Sequence, residues 1–477
     1  MVDIFQRFSI SFDNYSRTHS ETHIRICQQI FKTLYDKGYI FDELVDQLYC
    51  ENCERFLPDR FVIGSCPVCG YDRARGDQCE ACGKVLDPTD LLLPRCSICG
   101  GVPVVKSSRH WFFDLPQFSG KIREWLVGNQ AMPEKVKRFS LSWLAEGLRP
   151  RAVTRDNRWG IPAPFPGANG KTIYVWFEAV LGYLTATVEL AEKRGSPHLW
   201  EDFWLNPNTK SVYFIGKDNI PFHTIILPSL LMGYDERLVL PWSVSATEYL
   251  TFEGQKFSKS LGVGVWLDQA LEFLEPDYWR YYLVKNRPEL SDSSFSFHSF
   301  QNTVNSDLND SLGNFIHRVL SFISRHYGGR IPSPGEWRDE DREILDVMAG
   351  TLGEVARYLE EIRLRQALES VIQLAREGNG YLNRREPWKL VKESKEDAAT
   401  VFYAAAQLVK CLGVLLQPFT PYSASRIFEM LGLGRASLDW GEASKELPAG
   451  SRIAEPQPLF RKILDEELEV FRVRMAH

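Results

Sequence analysis

Apolar and polar positions along the chain fall into three textures. HIRICQQIFKTLYDKGYI, residues 23–40, repeats apolar residues every three or four positions and predicts a helix. From about residue 150 to 300, short β-branched and aromatic runs alternate with helical patterns. KTIYVWF, SVYFIG and RLVLPWSV are the predicted strands, an alternation expected of a parallel α/β sheet. Beyond about residue 300 the period turns helical. DREILDVMAGTLGEVARYLEEIRLRQALESVIQLAREGNGYL reads as one long buried stripe, and VFYAAAQLVKCLGVLLQPFTPYSASRIFEMLG continues it, punctuated by Pro418 and Pro421. The expectation is an antiparallel helical bundle.

A chain of 477 residues suggests roughly two to four domains. With 44% hydrophobic and 25% charged residues it reads as an ordinary globular protein. No apolar run approaches the roughly 20 residues of a membrane span, and MVDIFQRFSI has no signal-peptide pattern. A cytoplasmic location with no membrane partner is expected. The net charge of −6 argues against blanket attraction to nucleic acid but leaves room for a local basic groove.

Eight of the ten cysteines form four CxxC pairs: Cys50 with Cys53, Cys66 with Cys69, Cys79 with Cys82, and Cys96 with Cys99. Eight thiolates suffice for two tetrahedral all-cysteine zinc sites, saturated and therefore structural. Gly70, Gly83 and Gly100 follow second cysteines, where glycine permits the tight turn that brings amides to sulfur. Spacing alone does not say which pairs share an ion. HSETH, residues 19–23, is not a zinc-protease HExxH and reads as an exposed helical face. FEGQKFSKSLGVG, residues 252–264, carries Lys256 and Lys259 between glycines and by itself reads as a solvated turn.

With these parts placed, the chain resembles methionyl-tRNA synthetases of the archaeal and eukaryotic type. FLPDRFV at 56–62, RHWFFDLPQF at 109–118, LRPRAVTRDNRWGIPAP at 148–164, IYVWFEAVLGY at 173–183 and FIGKDNIPFHT at 214–224 carry the resemblance. KFSKS at 256–260 is similar to the KMSKS loop of class I synthetases. The resemblance implies the second half of a Rossmann-like parallel-sheet domain, a zinc-knuckle connective insertion and a helical anticodon-binding bundle. It places the connective region at 1–148 with knuckles at about 50–100, the catalytic half at 149–245, the loop and stem-contact region at 246–300, and the bundle at 301–477.

The resemblance further implies residue roles. Trp176, Ala179, Tyr183, Phe222 and His223 match methionine-pocket positions. Gly216, Asp218, Lys256, Ser258 and Lys259 match ATP-binding positions, with Lys256 and Lys259 as the catalytic lysines. Asn314, Arg318, Pro387 and Trp388 match anticodon-reading positions. The implied substrates are L-methionine, ATP with magnesium, and methionine tRNA. Nesting is implied for zinc, with the two middle cysteine pairs on one ion and the outer two on the other.

The pattern breaks in places. No two of the nine histidines are three apart, so there is no HxGH signature. The expectation is therefore a separate polypeptide or upstream sequence carrying that half, without which adenylate formation fails. Glu178 stands where the family usually has aspartate, Val180 where it has proline, and Leu227 where tryptophan is common, so selectivity for methionine is open. The alternative reading is a catalytically inactive tRNA-binding or regulatory paralogue. A synthetase for isoleucine, leucine or valine fits worse, because the double CxxC arrangement is present and no large editing insertion is.

Overall fold

The computed structural model describes residues 2–57, 61–76, 79, 81–82, 86, 88–157, 159–258, 262–434 and 439–475. The chain divides into two compact units, residues 13–246 and residues 1–12 with 247–477.

In the first unit, helix Glu21–Asp36 starts where Ser20 accepts a bond from the His23 amide at 3.2 Å. Its buried face is His23, Ile26, Cys27, Ile30, Phe31 and Leu34, three- and four-residue steps along one stripe. Strand Ile40–Cys50 then pairs antiparallel with Val104–Phe113, in register from Ile40 opposite Phe113 to Tyr49 opposite Val104. Arg55–Phe56 and Arg151–Ala152 flank this ribbon. Trp111, Phe113, Phe118 and Phe31 seal its base. Between the two long strands lies the cysteine arm, with its own sheet of Ala74–Arg75, Val62–Ser65 and Leu92–Cys96.

The later part of this unit departs from two predicted strands. KTIYVWF keeps only Thr172–Ile173 extended, and Val175–Glu178 turns into helix to bury Phe177 and Glu178, so packing overrides β propensity. RLVLPWSV becomes strand only from Ser243, after Pro241, which lacks an amide for a ladder. SVYFIG is the strand Val212–Gly216, paired with Ser243–Thr247.

In the second unit, Leu250–Phe252 and Ser293–Phe295 run parallel, and the long regular elements among the described residues are helices. The predicted long stripe is two helices, Asp339–Glu360 and Leu364–Arg385, broken at Ile362 with φ +59°. Buried Asp341 accepts bonds from Tyr381 Oη at 2.6 Å and Arg385 Nε at 3.0 Å, linking these two helices. Helix Lys395–Leu416 corrects the expectation of no span-length apolar run. It is long and apolar enough on composition, yet its apolar window is wholly buried inside the bundle. Pro418 precedes helix Pro421–Met430, and Pro421 opens it as its first residue.

Candidate functional site

Helix Val175–Glu178, the tight turn Ala179–Leu181 and helix Gly182–Lys193 follow one another without a gap. Trp176, Ala179 and Tyr183 are three and four residues apart and share a face. Opposite them, Phe222 and His223 open a π-helical turn, Phe222–Ile226, a wide turn that re-aims side chains. The Trp176 and Phe222 rings lie 5.6 Å apart. Tyr183 meets Tyr213 edge-on at 4.8 Å and His223 at 5.5 Å.

A directed chain of hydrogen bonds runs through this group. His223 Nδ1 lies 2.9 Å from the Asn219 carbonyl, which only accepts, so Nδ1 carries the hydrogen. The ring is then a donor at Nδ1 and an acceptor at Nε2. Tyr183 donates its hydroxyl to Nε2 at 2.8 Å. Burial pushes the His223 pKa below its ordinary value, partly opposed by the Asn219 carbonyl, and burial pushes the Tyr183 phenol up. Both groups are therefore neutral near pH 7. Trp176 and Tyr183 remain 45% and 41% exposed, so the aromatic wall faces open space.

Gly216 ends the strand Val212–Gly216, and Asp218 sits in the turn Lys217–Asn219 that follows. A Cβ at Gly216 would meet nothing within 4 Å, leaving the backbone open to close approach. Asn219, one residue beyond Asp218, is the His223 partner, so the strand end and the aromatic wall are tied together.

The three departures from the family pattern do not line this wall. Val180 and Leu227 lie in the core. Glu178 is buried and turned onto His23, its Oε2 2.6 Å from Nε2. The exposed reading of HSETH thus fails at its last residue: His23 is 1% exposed. The signal was present, since His23 is three and four residues before Ile26 and Cys27 on the apolar stripe.

The lysine loop belongs to the other unit. Phe252 anchors it against Phe295 and Phe297, at 5.6 Å each, and the Phe297 amide donates to Glu253 at 2.9 Å. Ser258 and Val263 exchange two backbone bonds of 2.9 Å, which hold these two positions together. Lys256 is exposed, whereas Lys259 lies outside the described residues. Gly264 has φ +146°, and a Cβ there would stand 2.8 Å from the Phe257 ring.

In the same unit, Asn314 opens helix Asn314–His326 directly after a π-helical stretch, Val304–Gly313. Arg318, one turn on, holds its guanidinium 5.2 Å from the centre of the Trp388 ring and reaches Asn379 and Asn383 at 3.4 Å. Trp388 is placed there by Glu386, a left-handed residue (φ +44°) between helices Leu364–Arg385 and Pro387–Glu393. Pro387 is buried at that corner and presents no free edge.

The eight cysteines gather as two foursomes, Cys50, Cys53, Cys96, Cys99 and Cys66, Cys69, Cys79, Cys82. Sulfur separations are 3.4 Å for Cys50–Cys99, 3.9 Å for Cys53–Cys96, 3.9 Å for Cys66–Cys82 and 3.6 Å for Cys69–Cys79. Thiolates about 2.3 Å from one tetrahedral zinc lie roughly 3.8 Å apart, so both sets fit. The Cys69 amide at Cys66 and the Gly101 amide at Cys99 lower those two thiols to about 7, whereas the Cys99 sulfur beside Cys53 helps push that thiol up to about 12. Gly70 and Gly100, both at φ +73°, allow the turns.

Two family models cover the chain: "tRNA synthetases class I (M)" over residues 1–320 and "Anticodon binding domain of methionyl tRNA ligase" over residues 331–477. The methionine–tRNA ligase of Thermofilum pendens is 49% identical over 469 residues, 98% of this chain and 82% of the relative. That of Pyrobaculum arsenaticum is 48% identical over 475 residues, 100% of this chain and 83% of the relative. This chain is a member of the methionine–tRNA ligase family. The family is a branch of the class I aminoacyl-tRNA synthetases, ATP-dependent ligases of protein synthesis. A Mycobacterium tuberculosis methionyl-tRNA synthetase bound by methionyl-adenylate shares the fold, with a TM-score of 0.79 at 23% identity over 96% of this chain and 85% of that one. Ligases of this family match the chain along its whole length, which gives no support to a separate HxGH-bearing polypeptide or to an inactive paralogue.

Proposed function

We propose that this ligase binds L-methionine on the first unit, activates it with ATP with the help of the lysine loop, and selects methionine tRNA with the helical bundle. The observation that carries the reading is the aromatic wall: Trp176, Phe222 and Tyr183, with a neutral His223 oriented from behind. A thioether is apolar and polarizable and packs well against rings. Ala179, between Trp176 and Tyr183, leaves space for an unbranched side chain.

Gly216 and Asp218 suit the adenylate. The bare backbone at Gly216 admits the nucleotide, and the Asp218 carboxylate accepts bonds from ribose hydroxyls. In the activation step the methionine carboxylate attacks the α-phosphate and pyrophosphate leaves. Lys256 and Lys259, with Ser258, meet the charge that builds on the phosphate oxygens. The phosphates arrive with magnesium, which shares that charge. Glycines on either side of the loop let it close and reopen.

Arg318 and Trp388 form a charged edge beside a stacking platform, which suits unstacked anticodon bases. Asn314, one turn before Arg318, extends that edge, and the buried Pro387 sets the corner that carries Trp388. Zinc, held by the two cysteine foursomes, would brace the arm and take no part in the chemistry. The experiment is methionine-dependent ATP–pyrophosphate exchange followed by charging of methionine tRNA, both expected. Tight tRNA binding with no methionine binding would refute the reading.

A further inference from the structure

His23 belongs to none of the matched motifs, yet it touches the aromatic wall's backbone segment at two points. Helix Glu21–Asp36 carries it to the back of residues 175–187. Its Nε2 lies 2.6 Å from Glu178 Oε2, and its Nδ1 lies 2.7 Å from Thr185 Oγ1. Thr185 in turn reaches the Gly182 carbonyl at 3.2 Å. Glu178 sits between Trp176 and Ala179, and Thr185 is two residues past Tyr183. One imidazole therefore spans Glu178 to Thr185, the stretch that bears Ala179 and Tyr183, and grips the chain two residues beyond Trp176.

The surroundings make this a hydrogen-bonded clamp. His23, Thr185 and Glu178 are 1%, 2% and 5% exposed, so water does not compete for the bonds. An ionised carboxylate only accepts, so Nε2 carries a hydrogen toward Glu178. Cys27 Sγ lies 3.4 Å from the same nitrogen, and burial beside the Glu178 charge pushes its thiol pKa up. It stays a neutral filler. A metal would hold nitrogen and oxygen ligands about 3.3 Å apart for bonds of about 2.0 Å. The 2.6 Å contact is too short for that and is a hydrogen bond.

We propose that His23 is a positioning residue for methionine recognition, setting the spacing of Trp176, Ala179 and Tyr183 from behind through Glu178 and Thr185. It rests on the reading of those three residues as the methionine wall. The geometry also explains Glu178: a carboxylate one methylene shorter would fall short of Nε2 in this arrangement.

The test is calorimetric titration of the full chain with L-methionine. His23→Ala removes both bonds. His23→Gln keeps an amide where Nε2 stood and loses Thr185, whereas His23→Asn keeps one where Nδ1 stood and loses Glu178. Methionine affinity is expected to fall about ten-fold in His23→Ala and less in the two amide variants, with affinity for methionine tRNA held within about two-fold. Thr185→Val added to His23→Ala is expected to cost nothing further, because the clamp is already open. Should His23→Ala not fold, the two amide variants carry the test. A folded His23 variant with unchanged methionine affinity, or one losing tRNA and methionine binding in parallel, overturns the proposal. Trp176→Ala separates the two layers: if it leaves methionine affinity unchanged, the reading of the wall has failed, whatever His23 does.

Discussion

Tyr183 and His223 share one hydrogen bond of 2.8 Å, and the Asn219 carbonyl on the far side of the imidazole dictates its direction. With Nδ1 committed to Asn219, the bond from Tyr183 is the one that satisfies Nε2. Tyr183→Phe keeps the ring and deletes the donor, leaving a buried acceptor unpaired at about 1–3 kcal/mol. Methionine affinity is expected to fall between roughly five- and a hundred-fold by titration calorimetry, while the unit stays folded by circular dichroism.

The same group sets a pH dependence. Burial lowers the folded-state pKa of His223 below its ordinary 6.5. The unfolded chain therefore takes up a proton first as pH falls. The stability this residue confers is complete above 6.5 and is lost as pH drops from there through the lowered folded value. Denaturant midpoints measured from pH 8 to 5 are expected to decline, and to decline less in His223→Gln.

Gly264→Ala places a methyl against the Phe257 ring and forces a side chain onto φ +146°. Such strain costs about 1–3 kcal/mol, or is relieved by moving Phe257 and the lysine beside it. ATP–pyrophosphate exchange is expected to slow about ten-fold or more in kcat, with the KM for methionine little changed, because the wall lies elsewhere in the chain.

Trp388→Ala removes the platform beneath Arg318. Loss of one stacked base is worth about 1–3 kcal/mol, and discrimination between methionine tRNA and another tRNA is expected to narrow by that amount. Charging rates for both tRNAs measure it directly.

Metal analysis is expected to return two zinc ions per chain, one for each cysteine foursome. Cys66→Ser with Cys69→Ser is expected to remove one and leave the other. Chelation is expected to expose residues 50–99 to proteolysis before the rest of the first unit, since that arm has only a small apolar cluster of its own.

Much of this was legible from periodicity and motifs. The stripe from Ile26 to Leu34 gave its helix, and four CxxC pairs gave the cysteine arm; spacing left the pairing open, and the folded chain brings the pairs together in the nested order that the resemblance implied. The misses have physical causes. Val175–Glu178 has strand-forming residues, but burying Phe177 and pairing Glu178 with His23 outweigh propensity. His23 looked polar and solvated because its partners are more than 150 residues away. The π turns that hold His223 and precede Asn314 add a residue to a helical turn, a shift that no 3.6-residue count anticipates.

Helix Lys395–Leu416 bears on how the protein is made. Apart from the following helix Pro421–Met430, its principal packing partners are helices that precede it, Asn314–His326, Asp339–Glu360, Leu364–Arg385 and Pro387–Glu393. On the ribosome those walls emerge first, so the most water-averse segment is delivered into a groove already under construction. A stop codon shortly before residue 395 would leave that groove without its plug. The truncated chain would then present to chaperones the surface that synthesis order normally keeps covered.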